Sequence, residues 1–188
     1  MKPTLGLVTA ILVAIVGGCG DPAHTDAVAA LGPEAPGVPK GPNHRPGQPC
    51  LACHGGSGPA GRQFSVGGTV YLNQRKPFPD GGAPPASPPG AGVKVQLTDS
   101  KNSTHTTVTN GVGNFYIYLS NWAPVAPIGG VTTDGGAPDQ THAIQISQGT
   151  NLDIMYTHVG RDGSCADCHF YPPGPLTPGP IYLVGAVR

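Results

Sequence analysis

Seven short runs rich in Val, Ile, Thr, Tyr and Phe, each bounded by glycine, proline or asparagine, restrict this chain to a fold of brief strands. They are Phe64–Leu72, Val93–Thr98, Thr104–Thr109, Asn114–Leu119, Ala143–Ser147, Leu152–Thr157 and Ile181–Val187. In the second run Val93, Val95 and Leu97 alternate with Lys94, Gln96 and Thr98, the period of a strand with one buried face. About seven such strands separated by turn signals predict two sheets packed face to face, a β-sandwich. Glycine (30) and proline (23) make up more than a quarter of the 188 residues and gather at 32–49, 77–92, 123–138 and 172–180, between the runs. Long Pro/Gly-rich connections are therefore expected at 74–90 and 121–141, both carrying Asp-Gly-Gly-Ala-Pro.

The order of signals from Val66 to about Thr157 resembles a carboxypeptidase-regulatory-like domain. The matching stretches are Gly68-Thr69-Val70-Tyr71, Gly90 to Leu97, and Thr107-Val108-Thr109-Asn110-Gly111-Val112-Gly113-Asn114-Phe115. That resemblance implies a mainly β fold, a single immunoglobulin- or transthyretin-like sandwich, with a hairpin around Asn110-Gly111, where the family has aspartate. It implies architecture and no chemistry.

Chemistry is carried outside the strands. Cys50-Leu51-Ala52-Cys53-His54 has a counterpart in Cys165-Ala166-Asp167-Cys168-His169. CxxCH is the attachment pattern of c-type haem: two thiols spaced to bond the two vinyl groups of one porphyrin, with a histidine beside them to ligate the iron. Cys50, Cys53, Cys165 and Cys168 are thus expected to hold two covalent haems, with His54 and His169 as proximal ligands. Four-cysteine zinc sites usually bring their pairs within about 15–20 residues, a spacing far exceeded between Cys53 and Cys165. A thioredoxin-like use of CxxC needs a βαβ context, which neither stretch has. Aromatic residues are only 6% of the chain, and porphyrin faces would supply apolar surface that the side chains lack.

The apolar run Leu5 to Val16 after Lys2 has the length of a signal-peptide core, so 1–18 is expected to be removed. Val16-Gly17-Gly18-Cys19 resembles the lipobox of bacterial lipoproteins, in which the cysteine is lipidated and becomes the first mature residue. Cys19 is also the odd thiol left by the two CxxCH pairs. With Asp21 one position beyond the usual inner-membrane retention site, the resemblance implies an exported lipoprotein of the outer membrane, on its periplasmic or surface side. Residues 19–42 lack apolar periodicity and read as a flexible linker, with His24 solvated in it. The first haem segment follows at 43–62, the sandwich at 63–157, the second haem segment at 158–180 and a last strand at 181–188. Zero net charge and 11% charged residues exclude a nucleic-acid surface.

The sixth position of each iron decides what the haem does. His44 lies six residues before Cys50 and His158 seven before Cys165. This shared spacing resembles bis-histidine multihaem cytochromes and implies His44 and His158 as distal ligands, each either bending back onto its own iron or crossing to the other. His105 is expected on a strand surface, His142 in reserve, Met155 in the core, and Trp122 in the core more readily than over a haem edge. No nucleophile elbow, paired carboxylates or phosphate loop is present. The expected protein is a dihaem electron carrier for redox partner proteins or an extracellular acceptor. An enzyme or gas sensor with one open iron is the alternative, as is a binding or assembly module stabilised by haem.

Overall fold

All seven expected strands form, the first six within two residues of their expected bounds. A computed structural model describes residues 21–34, 40–72, 89–130, 143–170, 175 and 177–183. The signal segment 1–18, Cys19, His142, most of both long connections and the end of the last strand lie outside these residues. The strands are β1 (Phe64–Tyr71), β2 (Lys94–Thr98), β3 (Thr104–Val108), β4 (Asn114–Tyr118), β5 (Ile144–Gln148), β6 (Asn151–Met155) and β7 (Ile181–Tyr182). They make a three-stranded sheet ordered β4-β1-β7 and a four-stranded sheet ordered β3-β2-β5-β6. The protein is a mainly β, two-sheet sandwich, as the strand pattern requires.

The core is aliphatic and small. Val66 and Val70 of β1, Val95 and Leu97 of β2, Phe115 and Ile117 of β4, and Ile144 and Ile146 of β5 meet between the sheets. Each such side chain contributes about 1.5–3 kcal/mol by leaving water. Trp122 joins this cluster, its indole N–H donating to Ser103 Oγ at 3.1 Å, so it fills the core. Met155 also packs against the cluster. His105 is half-buried, its ring stacked on that of Trp122 at 5.6 Å.

Two local expectations change. The Asn110-Gly111 turn makes no hairpin within one sheet, because it leads from β3 to β4, which belong to different sheets. Asn110 Oδ1 accepts from the Val112 and Asn114 amides and so shapes an arch between the layers. The linker expected over 19–42 contains a helix, α1 (Pro22–Ala30). Asp21 accepts from the Ala23 and His24 amides as its N-cap, Pro22 occupies the first turn, and four alanines favour the helix without an apolar stripe.

Asp99 ties the β2–β3 turn together. It is 2% exposed, and its carboxylate accepts from the amides of Lys101 (2.9 Å), Ser103 (2.9 Å) and Val125 (3.0 Å). Burial pushes its pKa up, but the three amides and the Lys101 charge outweigh this and hold it below the ordinary value. A depressed folded-state value stabilises the fold above the unfolded value of 3.8, and that stabilisation is lost as pH falls through the folded value. Asp99→Asn is expected to cost about 1.5–3 kcal/mol at neutral pH in denaturant titrations. The gap to the parent should narrow at lower pH; a gap independent of pH would mean that the carboxylate charge contributes nothing.

Candidate functional site

Both CxxCH stretches fold as one helical turn, which is what their spacing needs. Cys50–His54 forms the short helix α2, entered from extended Pro49 and closed by Gly55, whose amide donates to Leu51 O at 2.9 Å. Cys165–Asp167 forms a 3-10 turn, and the His169 amide donates to Cys165 O at 2.9 Å. In such a turn positions i, i+3 and i+4 lie on one side. The two thiols and the imidazole of each motif are therefore presented together.

The motifs also meet in space, on β1. Residues 163–165 run alongside it, with Gly67 and Ser164 paired in parallel and the Gly67 amide donating to Gly163 O at 3.2 Å. β7 continues along the same edge, pairing in parallel with Val70 and Tyr71. From the other motif Cys50 packs against β1 so closely that a Cβ on Gly67 would lie 3.0 Å from Cys50 Cβ. A Cβ on Gly68 would lie 2.8 Å from Cys165 Cβ. The Gly67-Gly68 pair thus lets both motifs approach one strand. Leu51 of α2 is buried and reaches the backbone of Gly163.

His54 and His169 share one arrangement. His54 Nδ1–H donates to Arg62 O at 2.8 Å, and His169 Nδ1–H donates to Gly179 O at 2.8 Å. A carbonyl oxygen can only accept, so in each neutral ring the proton sits on Nδ1 and Nε2 keeps its lone pair free. Such an outer hydrogen bond commonly fixes the tautomer of a metal-bound imidazole. The His54 ring is also stacked on Phe64 at 4.0 Å, and Phe64 on Tyr116 at 4.5 Å, which holds its plane against the β1–β4 face. Burial lowers the His169 pKa, opposed by its bond to Gly179, so its neutral, ligating form is favoured.

His44 arrives beside His54, with the ring centroids 5.9 Å apart and the planes 30° from parallel. The His44 Nδ1 also bonds to the carbonyl of Gly41, three residues back, leaving its Nε2 free. Around these rings a cleft of about 370 Å³ is lined by Pro42, His44, Cys50, Cys53, His54 and Phe64, among others. Its volume falls within the range of about 300–1000 Å³ usual for small-molecule and cofactor sites.

The second site is built differently. His158 is exposed, and it makes no hydrogen bond or ring contact among the described residues. No hydrogen bond or ring contact joins it to His169 among the described residues, although the two lie in one short segment. The reason is that Val159, paired with Ile128, is drawn into the core and leaves His158 facing outward. A cavity of about 30 Å³ beside Cys165 and His169 is lined also by Gly47, Thr69, Tyr71 and Ile181, so the loop that carries His44 reaches both motifs. His24 departs from its expected solvation: its Nε2 is buried without a hydrogen-bond partner on α1.

Each motif offers two thiols and one imidazole, the donor set that a covalent haem would use. Cys50, Cys53, Cys165 and Cys168 are all free thiols. Burial, with smaller contributions from nearby groups, pushes Cys50 up to about 11 and Cys165 up to about 12. Among the described residues no group of three or more His, Cys, Asp or Glu side chains converges. Sequence reasoning missed Asn114, Thr69 and Arg45, which hold the His44 loop. It also missed the carbonyls of Arg62 and Gly179, since a backbone acceptor leaves no mark on the sequence. Comparison with family models, with curated proteins and with solved structures finds no match to this chain.

Proposed function

We propose that this protein is a dihaem c-type cytochrome that passes single electrons between redox partners at the bacterial cell envelope, exported and tethered through lipidated Cys19. The observation that carries the reading is the matched pair of histidines, each with Nδ1 held by a backbone carbonyl and Nε2 left to bind. Cys50 and Cys53 would hold the first haem, with His54 and His44 as the residues available to its iron; Cys165 and Cys168 would hold the second, with His169. When bound, haem iron supplies one-electron chemistry at a potential set by its axial ligands and surroundings. The chain's own residues bind and orient: α2 and the 3-10 turn present thiols and imidazole together, Phe64 fixes the His54 plane, and the Gly67-Gly68 step keeps the two sites on one strand. Nearness of the two motifs on β1 favours electron exchange between them. The sandwich serves as the carrier for both.

The sites are unequal, and this favours the alternative of an open iron, as in a haem enzyme or gas sensor, at the second motif alone. His44 faces His54, whereas His158 is exposed. The test is the absorption spectrum of ferric and reduced protein produced with the c-haem maturation machinery, with haem counted per chain. Two covalent haems with low-spin bands support electron transfer. Carbon monoxide binding at one of them moves the second site to the alternative, and absence of covalent haem overturns the proposal.

A further inference from the structure

We infer that Asn114 is the positioning residue for His44, and that it thereby sets whether the first iron keeps its sixth ligand; this rests on the reading of His44 as that ligand. Residues 41–48, which carry His44, form turns and neither a helix nor a strand, with the backbone in left-handed geometry at Arg45 (φ 51°) and Gly47 (φ 78°). Such a loop has no register of its own, so its position over α2 comes from what ties it down. It is tied to the sandwich by Asn110, whose Nδ2 donates to Pro42 O at 2.5 Å, by Thr69, and, at His44 itself, by Asn114, 5% exposed at the start of β4. Its Nδ2 donates to His44 O at 2.9 Å and more weakly to Pro42 O at 3.4 Å.

The amide of Asn114 is itself oriented. Thr69 Oγ–H donates to Asn114 Oδ1 at 2.8 Å, while the same Thr69 oxygen accepts from the Gly47 amide at 2.8 Å. With Oδ1 committed to a hydroxyl donor, Nδ2 has to face the loop carbonyls. Thr69 and Asn114 are cross-strand partners in β1 and β4, so the tie is anchored in the rigid sheet that also carries Phe64 against His54. The same sheet thus fixes both rings of the pair. Arg45 makes the outer tie, donating to Leu31 O (3.2 Å), Gly32 O (2.6 Å) and Gln48 Oε1 (2.7 Å). Leu31 and Gly32 directly follow α1 and Gln48 lies in the loop, so Arg45 joins those two, while the bond from the sheet to the backbone of His44 itself is that of Asn114.

The test uses the haem-loaded full chain and compares His44→Ala, Asn114→Asp, Asn114→Ala and Thr69→Val. Asn114→Asp keeps size and the bond from Thr69 but removes the donor to the loop; Thr69→Val takes away both the partner that orients Asn114 and the acceptor of the Gly47 amide. Expected with haem content unchanged is a high-spin, carbon-monoxide-binding fraction at the first haem, complete in His44→Ala and partial in Asn114→Asp, growing on warming below the unfolding midpoint. Added imidazole should restore the low-spin bands in both. Should Asn114→Ala fail to fold, Asn114→Asp and Thr69→Val decide. Low-spin spectra in these variants beside an opened His44→Ala would overturn the positioning role and leave the cytochrome reading standing. A His44→Ala spectrum identical to the parent would overturn the ligand itself, and with it this inference.

Discussion

Gly163→Ala is expected to detach the second CxxCH segment from β1 and to destabilise the protein on the order of 3 kcal/mol. Two penalties coincide at this residue. Its φ of +79° is left-handed, which alone costs a residue with a Cβ roughly 1 kcal/mol. The added Cβ would also lie 1.9 Å from Ser65 O and 3.1 Å from Leu51 Cδ2, so both β1 and α2 have to yield. Gly149→Ala separates the two contributions, because Gly149 has φ of +60° and open space where its Cβ would go. Thermal melting followed by circular dichroism should show a small drop for Gly149→Ala and one of roughly 10 °C for Gly163→Ala. Hydrogen exchange at the Gly67 amide, which donates to Gly163 O, should quicken only in the latter. Equal drops in the two variants would mean that the segment does not lean on β1.

That residue also marks where the sequence stopped being informative. The strands were legible because each is an alternating or continuous apolar run closed by residues that cannot continue it, as with Val93 to Thr98 before Asp99. The CxxCH turns were legible because cysteine and histidine at that spacing have few other uses. Pairing between distant segments has no such local signature. The meeting of both motifs on Gly67-Gly68 depends on residues 163–165 taking the open edge of β1, and Gly-Ser before a cysteine reads equally well as an ordinary loop. The same holds for distal ligands. His44 and His158 have nearly equal spacing to their motifs, yet Asn114 draws one onto the sandwich while Val159 turns the other outward. The helix α1 was missed for a different reason: Asp21-Pro22 is a sound helix start, but the segment has no apolar stripe to announce it.

Removing one motif at a time should remove one haem at a time. Cys50→Ala/Cys53→Ala and Cys165→Ala/Cys168→Ala are each expected to retain one covalent haem per chain, counted by mass and by the reduced spectrum. The grounds are that each motif closes its own turn and anchors its own histidine, on Arg62 O in one case and Gly179 O in the other. Stability should respond unequally. Cys165 packs against the hydrophobic core while Cys168 is exposed, so the second pair should cost about 1–2 kcal/mol beyond the lost haem, mostly through Cys165→Ala. The haem left in the Cys165→Ala/Cys168→Ala chain would have His44 beside His54 as a second ligand and should then be low-spin and inert to carbon monoxide. The haem left in the other chain reports on the second iron alone, free of overlap with the first. If it binds carbon monoxide, electron carriage belongs to the first site and ligand chemistry to the second; if it does not, a ligand other than exposed His158 closes it. Loss of both haems from either double variant would show that the motifs, close as they are on β1, load as one unit, and independent attachment would be ruled out.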